Sequence, residues 1–274
     1  MIFIVFSIMC TVTIGNLMHL YQTKDSNLNI FQVFLGNYFV ATIAAFFMIE
    51  SFDPNIVVKD LGIGALFGAL FLINFLNYQL NIAKNGLSIS IAVMRISVVT
   101  PIIISLVVFS ESLPWLNYVG ILVVLIAFLF LGKNSNIKSK FWLLALFLVT
   151  GFTESGLKII DEIATASHNQ MLFYLFGSAF IMNLIIVIIR RDRFNFKYFV
   201  AGLILGVPNL LSSLFFLKGL DHNVSAANAY PIVASSVVLL GFLTDKFIWK
   251  TKLNKYQYLT YAVIMVGVVL LNIR

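Results

Sequence analysis

Two ionisable side chains lie inside long apolar stretches of this chain. Arg95 stands in the middle of SIAVMRISVVTPIII (90–104), and Glu154 stands in VTGFTESGLK (149–158). Because a charged group that faces lipid is costly, both side chains should point into the protein, and their similar depth favours a pair. Two kinds of chemistry are open. The pair can be a permanent ion pair that fixes helix register, or Arg95 can bind an anionic substrate group while Glu154 acts as partner or proton carrier. Lys158, one turn beyond Glu154, is a competing partner.

Uncharged polar side chains form a second pattern. Four of them repeat at the i, i+3, i+4, i+7 spacing of one helix face, and these are Asn74, Asn77, Tyr78 and Asn81. A further set lies later in the chain, at Asn209, Ser212, Asn228 and Tyr230. Amides and hydroxyls donate and accept hydrogen bonds, which suits a hydrated pathway or a polar ligand. The alternative is hydrogen bonding between helices without any ligand. We favour the pathway for the stripe of three asparagines and a tyrosine.

Three prolines lie inside predicted helices, at Pro101, Pro208 and Pro231. A proline has no backbone donor, so each should free the carbonyl four residues earlier, those of Ser97, Ile204 and Ala227. Helix breaks of this kind often flank transporter sites, because free backbone groups need a cavity or a neighbour. A plain kink without ligand contact is the alternative for each proline.

The elements that carry these residues are membrane helices. The 274 residues are 61% hydrophobic and 11% charged, with a mean hydropathy of +1.00, whereas soluble domains carry roughly a quarter charged residues. A bilayer-spanning helix needs about 20 apolar residues, and the apolar stretches are continuous rather than alternating. The sequence therefore predicts one all-α membrane domain over 1–274 with ten spans, at roughly 2–20, 30–49, 60–82, 86–110, 114–132, 141–160, 169–189, 197–219, 224–244 and 255–273.

The loop charges predict an orientation. Most of the 18 lysines and arginines fall in loops on the side opposite the N-terminus. Because positive loops stay in the cytoplasm, this asymmetry predicts that both termini lie outside. The net charge of +7 is an orientation signal, and we expect no nucleic-acid partner.

An internal repeat divides the spans into two sets of five. Residues 64–86 and 202–224 align without a gap, so that Gly64 and Gly68 fall on Gly202 and Gly206, and Asn85 falls on Asn223. Five spans per half, over 1–132 and 141–274, would invert the second copy relative to the first, as in many secondary transporters. The alternative is a chance alignment of apolar helices. We assign the paired glycines to close helix packing.

Residues 85–132 resemble the drug/metabolite transporter superfamily, specifically its ten-span EamA-type members. Such members run a small-residue fourth span with a proline, then an acidic residue, then a glycine-containing fifth span. These features stand here at Pro101, Glu111 and Gly120, with echoes at Pro231 and Asp245. The resemblance implies two inverted five-helix repeats around a central cavity, lined by spans 1–4 and 6–9, in a bacterial inner membrane. Members usually have their N-terminus inside, which departs from the charge count above.

Secondary transport is the function that these features favour. No G-x-x-x-x-G-K-[ST] loop is present, so we expect proton coupling or exchange to move a small polar or amphipathic metabolite or drug-like compound. The alternatives are an intramembrane enzyme and a channel or structural membrane protein. No H-E-x-x-H or G-x-S-x-G motif supports an enzyme.

We expect no metal and no cofactor. The single cysteine, Cys10, lies inside the first span, and the three histidines lie at span ends in different loops, where solvated side chains are common. The expected partners are the small-molecule substrate, a coupling proton and the lipid bilayer. The oligomeric state stays open, and a monomer is compatible with every feature.

Overall fold

The computed structural model describes residues 1–25, 28–50, 58–85, 87–131, 139–222, 224–250 and 255–272. Asn223 and Arg274 lie outside these residues, and so does the side chain of Asp245. The described residues form helices and no strands, as predicted. The α-helices are α1 (Ile2–Lys24), α2 (Ile30–Phe47), α3 (Val58–Asn85), α4 (Leu87–Ile96), α5 (Val99–Ile103), α6 (Trp115–Leu131), α7 (Lys140–Ile163), α8 (His168–Ile189), α9 (Phe196–Asp221), α10 (Ala226–Phe247) and α11 (Lys255–Asn272).

The helices carry the apolar stretches that the sequence predicts to cross a membrane. Within the described ranges, six are long and apolar enough to span a bilayer: Ile2–Tyr21, Ile30–Phe47, Val58–Tyr78, Lys140–Ile163, His168–Ile189 and Phe196–Asp221. Four shorter apolar segments coincide with the remaining four predicted spans: Val93–Val108, Trp115–Phe128, Ala226–Gly241 and Tyr258–Leu271. The all-α architecture is confirmed, and its helices have the length and composition of membrane spans.

The fourth predicted span is broken near its proline. α4 ends at Ile96, α5 begins at Val99, and a π-helical turn follows over Ile104–Val108. The Ser97 carbonyl, which would have bonded the missing donor of Pro101, accepts from the Thr100 amide at 2.9 Å instead. A tighter turn therefore satisfies the carbonyl that the proline leaves free.

The other two prolines do not break their helices, so the helix-break prediction for them is wrong. α9 continues through Pro208 and α10 continues through Pro231. A proline removes a single hydrogen bond, and the bonds of the flanking turns keep the helix continuous, as in many membrane helices.

The chain forms two compact units. The first contains 1–72 and 159–219, and the second contains 73–158 and 220–274. In the first unit, α2 and α8 pack antiparallel, because their hydrogen bonds join opposite ends. The Asn169 amide donates to the Met48 carbonyl, and the Asn183 amide donates to the Phe31 carbonyl.

The paired glycines are contact points in the first unit, as expected. Gly64 and Gly68 of α3 lie against α8, where an added Cβ would collide with Tyr174 and Ser178. Gly202 and Gly206 of α9 lie equally close to α2. The smallest residue allows the helix backbones to approach closely.

In the second unit, α6 and α11 pack antiparallel through a reciprocal contact. A Cβ on Gly120 would lie 3.0 Å from the Leu271 side chain, and a Cβ on Gly267 would lie 2.5 Å from the Val124 side chain. The Asn117 amide donates to the Leu271 carbonyl at 3.2 Å.

Candidate functional site

Arg95 and Glu154 come together in the second unit. Arg95 lies in the last turn of α4, Glu154 lies in α7, and both side chains are half-buried. Glu154 and Tyr78 of α3 lie near enough to the Arg95 guanidinium to act on it electrostatically. Among the described residues no hydrogen bond joins Arg95 to Glu154, and the Arg95 Nε atom is buried without a hydrogen-bond partner. A buried donor without a partner is uncommon in folded proteins.

The asparagine stripe on α3 splits into two parts. Asn74 is half-buried, and its Oδ1 accepts from the Thr150 hydroxyl of α7 at 2.6 Å. Asn81 is fully buried and donates to the Trp142 carbonyl at 2.8 Å. Asn85 donates to Asn81 Oδ1. Asn81, at the carboxyl end of the stripe, thus ties α3 to the start of α7. The pathway role of the stripe stays a prediction.

This split predicts different accessibility along one helix face. With Cys10 replaced by serine, a cysteine at Asn74 should react with a water-soluble maleimide faster than a cysteine at Asn81. The reason is that Asn74 keeps exposed surface, whereas Asn81 is 0% exposed. The measurement is the labelling rate of each purified variant in lipid nanodiscs. Equal rates at both positions would contradict the split.

Tyr230 contacts the same turn of α7 that carries Glu154. Its hydroxyl donates to the Glu154 carbonyl at 2.8 Å and accepts from the Lys158 amide at 3.3 Å. These two backbone groups are the i and i+4 partners of one helical turn, so the hydroxyl contacts both ends of that turn. Tyr230 is 5% exposed, and a role for it in a substrate pathway stays a prediction.

Asn228 precedes Tyr230 on α10 and binds a different helix. Its amide donates to the Leu271 carbonyl of α11 at 2.9 Å, and its Oδ1 is buried without a hydrogen-bond partner in the described chain. This contact ties α10 to α11. A role for Asn228 in a substrate pathway stays a prediction.

The predicted residues of α9 lie in the first unit. The Asn209 amide donates to Asn37 Oδ1 at 3.1 Å, and the Ser7 hydroxyl donates to the Ser212 carbonyl at 2.8 Å. Sequence reasoning missed Asn37, which is 0% exposed and has a buried Nδ2 without a hydrogen-bond partner in the described chain. One asparagine in an apolar helix, without a periodic neighbour, carried no signal.

Lys158 pairs with Glu111 rather than with Glu154. Lys158 Nζ lies 2.8 Å from Glu111 Oε1, and the lysine is 4% exposed. The sequence offered Lys158 as a competing partner of Glu154, because proximity along one helix was the only available guide. Glu111 lies after the π-helical turn, far away in sequence but in contact with Lys158 in the fold.

Glu111 also caps α10. Its Oε2 accepts from the Ser225 hydroxyl at 2.7 Å and from the Ala227 amide at 2.8 Å, and its Oε1 accepts from the Ala226 amide at 3.1 Å. Burial alone would raise the pKa of Glu111, but the bonds from Lys158, Ala227 and Ser225 hold it below the ordinary carboxyl value. Glu111 is therefore ionised at neutral pH. Its contribution to stability is present above the ordinary carboxyl pKa and is lost as pH falls through the lowered one.

Comparisons with known proteins agree with this architecture. The EamA-like transporter family matches residues 137–273, which contain α7 to α11. An uncharacterized protein of Haemophilus influenzae is 24% identical over 277 residues, which cover 93% of this chain and 92% of that protein. A protein of known crystal structure, 14% identical in sequence, shares the fold with a TM-score of 0.75 over 99% of this chain and 98% of that one. The chain belongs to the EamA-like transporter family, within the drug/metabolite transporter superfamily.

Proposed function

We propose that this protein is a secondary transporter that moves a small polar or amphipathic molecule bearing an anionic group. The observation that carries the proposal is the buried, unpartnered Nε of Arg95 inside an apolar helix. An anionic substrate group would supply the acceptor that the described residues do not, and charged donors make strong hydrogen bonds. Glu154 lies next to this group and is the candidate carrier of a coupling proton.

We further propose that the ten spans form two inverted five-helix repeats that work by alternating access. Within the first unit, the glycines of α3 pack on α8 and their counterparts in α9 pack on α2. Exchange of equivalent contacts between two copies is the pattern of a two-fold relation. Antiparallel packing of α2 on α8, and of α6 on α11, supports inversion, because equivalent helices of inverted repeats run in opposite directions.

Uptake into liposomes tests the function. Purified protein in liposomes should take up small organic anions, in exchange for internal anion or in response to a pH gradient. Empty liposomes and the Arg95→Gln protein are the controls. Uptake of cations and neutral compounds, with anions excluded, would contradict the role of Arg95.

The topology makes a separate prediction. Tags placed at residues 1 and 274 should report the same compartment, because an even number of spans returns the chain to its starting side. Loop charge predicts that this compartment is outside. The measurement is protease access to each tag in right-side-out bacterial vesicles. Opposite compartments would contradict ten spans, whereas two cytoplasmic tags would contradict only the orientation.

A further inference from the structure

Two charged groups of α7, Glu154 and Lys158, lie at the two ends of one helical turn. Glu154 belongs to the intramembrane pair with Arg95, while Lys158 binds Glu111 at 2.8 Å. Glu111 in turn holds the amino end of α10 through Ser225, Ala226 and Ala227. A change in the geometry of this turn would therefore alter both the contact of Glu154 with Arg95 and the capping of α10 by Glu111.

Tyr230 joins the same turn to α10 from the other side. Its hydroxyl contacts the Glu154 carbonyl and the Lys158 amide, and it lies on the first turns of the helix that Glu111 caps. α10 is thus attached to this turn of α7 twice, once through Tyr230 and once through Glu111 with Lys158. The two attachments and the charge pair form one connected set within the second unit.

We propose that Tyr230 is a positioning residue that couples the Arg95–Glu154 centre to a latch made by Glu111, Lys158 and the amino end of α10. The latch holds the connection that follows the π-helical turn, which contains Glu111, against the amino end of α10. When substrate or a proton changes the charge balance at Glu154, the turn shifts, and Tyr230 transmits the shift to α10. This inference rests on the proposed transport function.

The chemistry of the latch makes it both tight and releasable. A carboxylate at a helix amino end is stabilised by the amides and by the helix dipole, and the lysine adds a charged donor in a poorly hydrated position. Removing one partner of such a set leaves the other charge buried and unpaired. Small changes in geometry therefore shift the balance between a closed and an open latch.

The test measures latch opening directly with a buried reporter. Ala227→Cys, in a Cys10→Ser background, places a thiol at a position that is 0% exposed and next to Glu111. Ala127→Cys of α6 is the matched control, since it is also 0% exposed and reports general unfolding. The readout is the rate of labelling by a water-soluble maleimide in nanodiscs, with no substrate present.

Loss of the latch should expose the Ala227 reporter. Glu111→Gln and Lys158→Met should each raise its labelling rate by about tenfold, the factor given by about 1.4 kcal/mol, and leave the Ala127 reporter unchanged. The double variant should react no faster than the faster single variant, because both changes remove one interaction. The charge exchange Glu111→Lys with Lys158→Glu should not restore protection, because a lysine cannot accept from the α10 amides.

Coupling is tested with Glu154→Gln in two backgrounds. This change should alter the labelling rate of the Ala227 reporter by several-fold when Tyr230 is intact. In the Tyr230→Phe background, which removes only the hydroxyl, it should have no effect. Tyr118→Phe, at an exposed tyrosine of α6, is the matched control and should leave the response to Glu154→Gln intact.

Two results would overturn the inference. One is an Ala227 reporter whose rate ignores Glu111→Gln, which would make Glu111 a static cap. The other is a Glu154→Gln effect that is equal with and without the Tyr230 hydroxyl. Because the assay uses no substrate, failure to find transport with any compound would overturn the proposed function while leaving these rates to decide the coupling.

Discussion

Replacing Arg95 with glutamine should reduce uptake of an anionic substrate by about 10- to 100-fold, since a hydrogen bond to a charged group is worth about 1.5–3 kcal/mol. Glutamine keeps hydrogen-bonding ability but removes the charge. Arg95→Lys should retain part of the activity, because an ammonium keeps the charge but lacks the planar fork that binds carboxylates and phosphates. The measurement is initial uptake into liposomes at equal amounts of reconstituted protein.

The double variant Arg95→Gln with Glu154→Gln separates the two roles of the pair. If the ion pair is purely structural, the double variant should recover both folding and transport, because both charges are removed together. If Arg95 binds the substrate, the double variant should recover thermal stability but not uptake, because it still lacks the positive charge that binds the substrate. The absence of a hydrogen bond between Arg95 and Glu154 in the described chain favours this second outcome. Full recovery of uptake would exclude a substrate role for Arg95.

A matched arginine provides the control for this experiment. Arg190 lies at the end of α8, is exposed, and donates to Asp192 at 3.1 Å. Exposed ion pairs contribute about 0–1 kcal/mol, so Arg190→Gln should leave both stability and uptake near the values of the parent protein. A similar loss of uptake in Arg190→Gln would indicate a general effect of positive charge rather than a site at Arg95.

The sequence predicted the helices well, while the depth of Arg95 and Glu154 in the membrane stays a prediction. Apolar length alone places a membrane helix, and a rise of about 1.5 Å per residue converts position into depth. Glu154 lies in the long helix α7, whereas Arg95 lies one residue before the break that ends α4. The stripe on α3 followed from counting, because its spacing encodes one face of the helix.

The sequence alone did not predict contacts that depend on how distant helices pack. Lys158 was considered only as a competing partner of Glu154, because they share a helix, but the fold brings it against Glu111 from a distant connection. Asn74 and Asn81 share a face yet meet different parts of α7, which periodicity cannot reveal. Pro208 was predicted to break its helix because a proline lacks a backbone donor. α9 nevertheless continues through Pro208, because the hydrogen bonds of the flanking turns hold the helix together.

The glycine contacts predict the largest effect on stability. A Cβ on Gly202 would collide with the Val33 carbonyl and lie 2.8 Å from the Asn37 amide nitrogen, both on the backbone of α2. Backbone cannot rotate away as a flexible side chain can, so Gly202→Ala must push α9 from α2. We expect a loss of about 1–3 kcal/mol, the usual cost of overpacking, with a lower apparent melting temperature in detergent.

Gly62→Ala should have the opposite sign and is the control. Gly62 lies in α3 with nothing within 4 Å of its added Cβ, and alanine favours a helix over glycine by about 1 kcal/mol. The counterpart Gly64→Ala should behave like Gly202→Ala, because its Cβ would meet Tyr174 of α8. If Gly202→Ala and Gly64→Ala lose stability to a similar extent while Gly62→Ala does not, the two contacts are equivalent in energy as well as geometry. A destabilised Gly202→Ala beside an unaffected Gly64→Ala would count against the two-fold relation between the repeats.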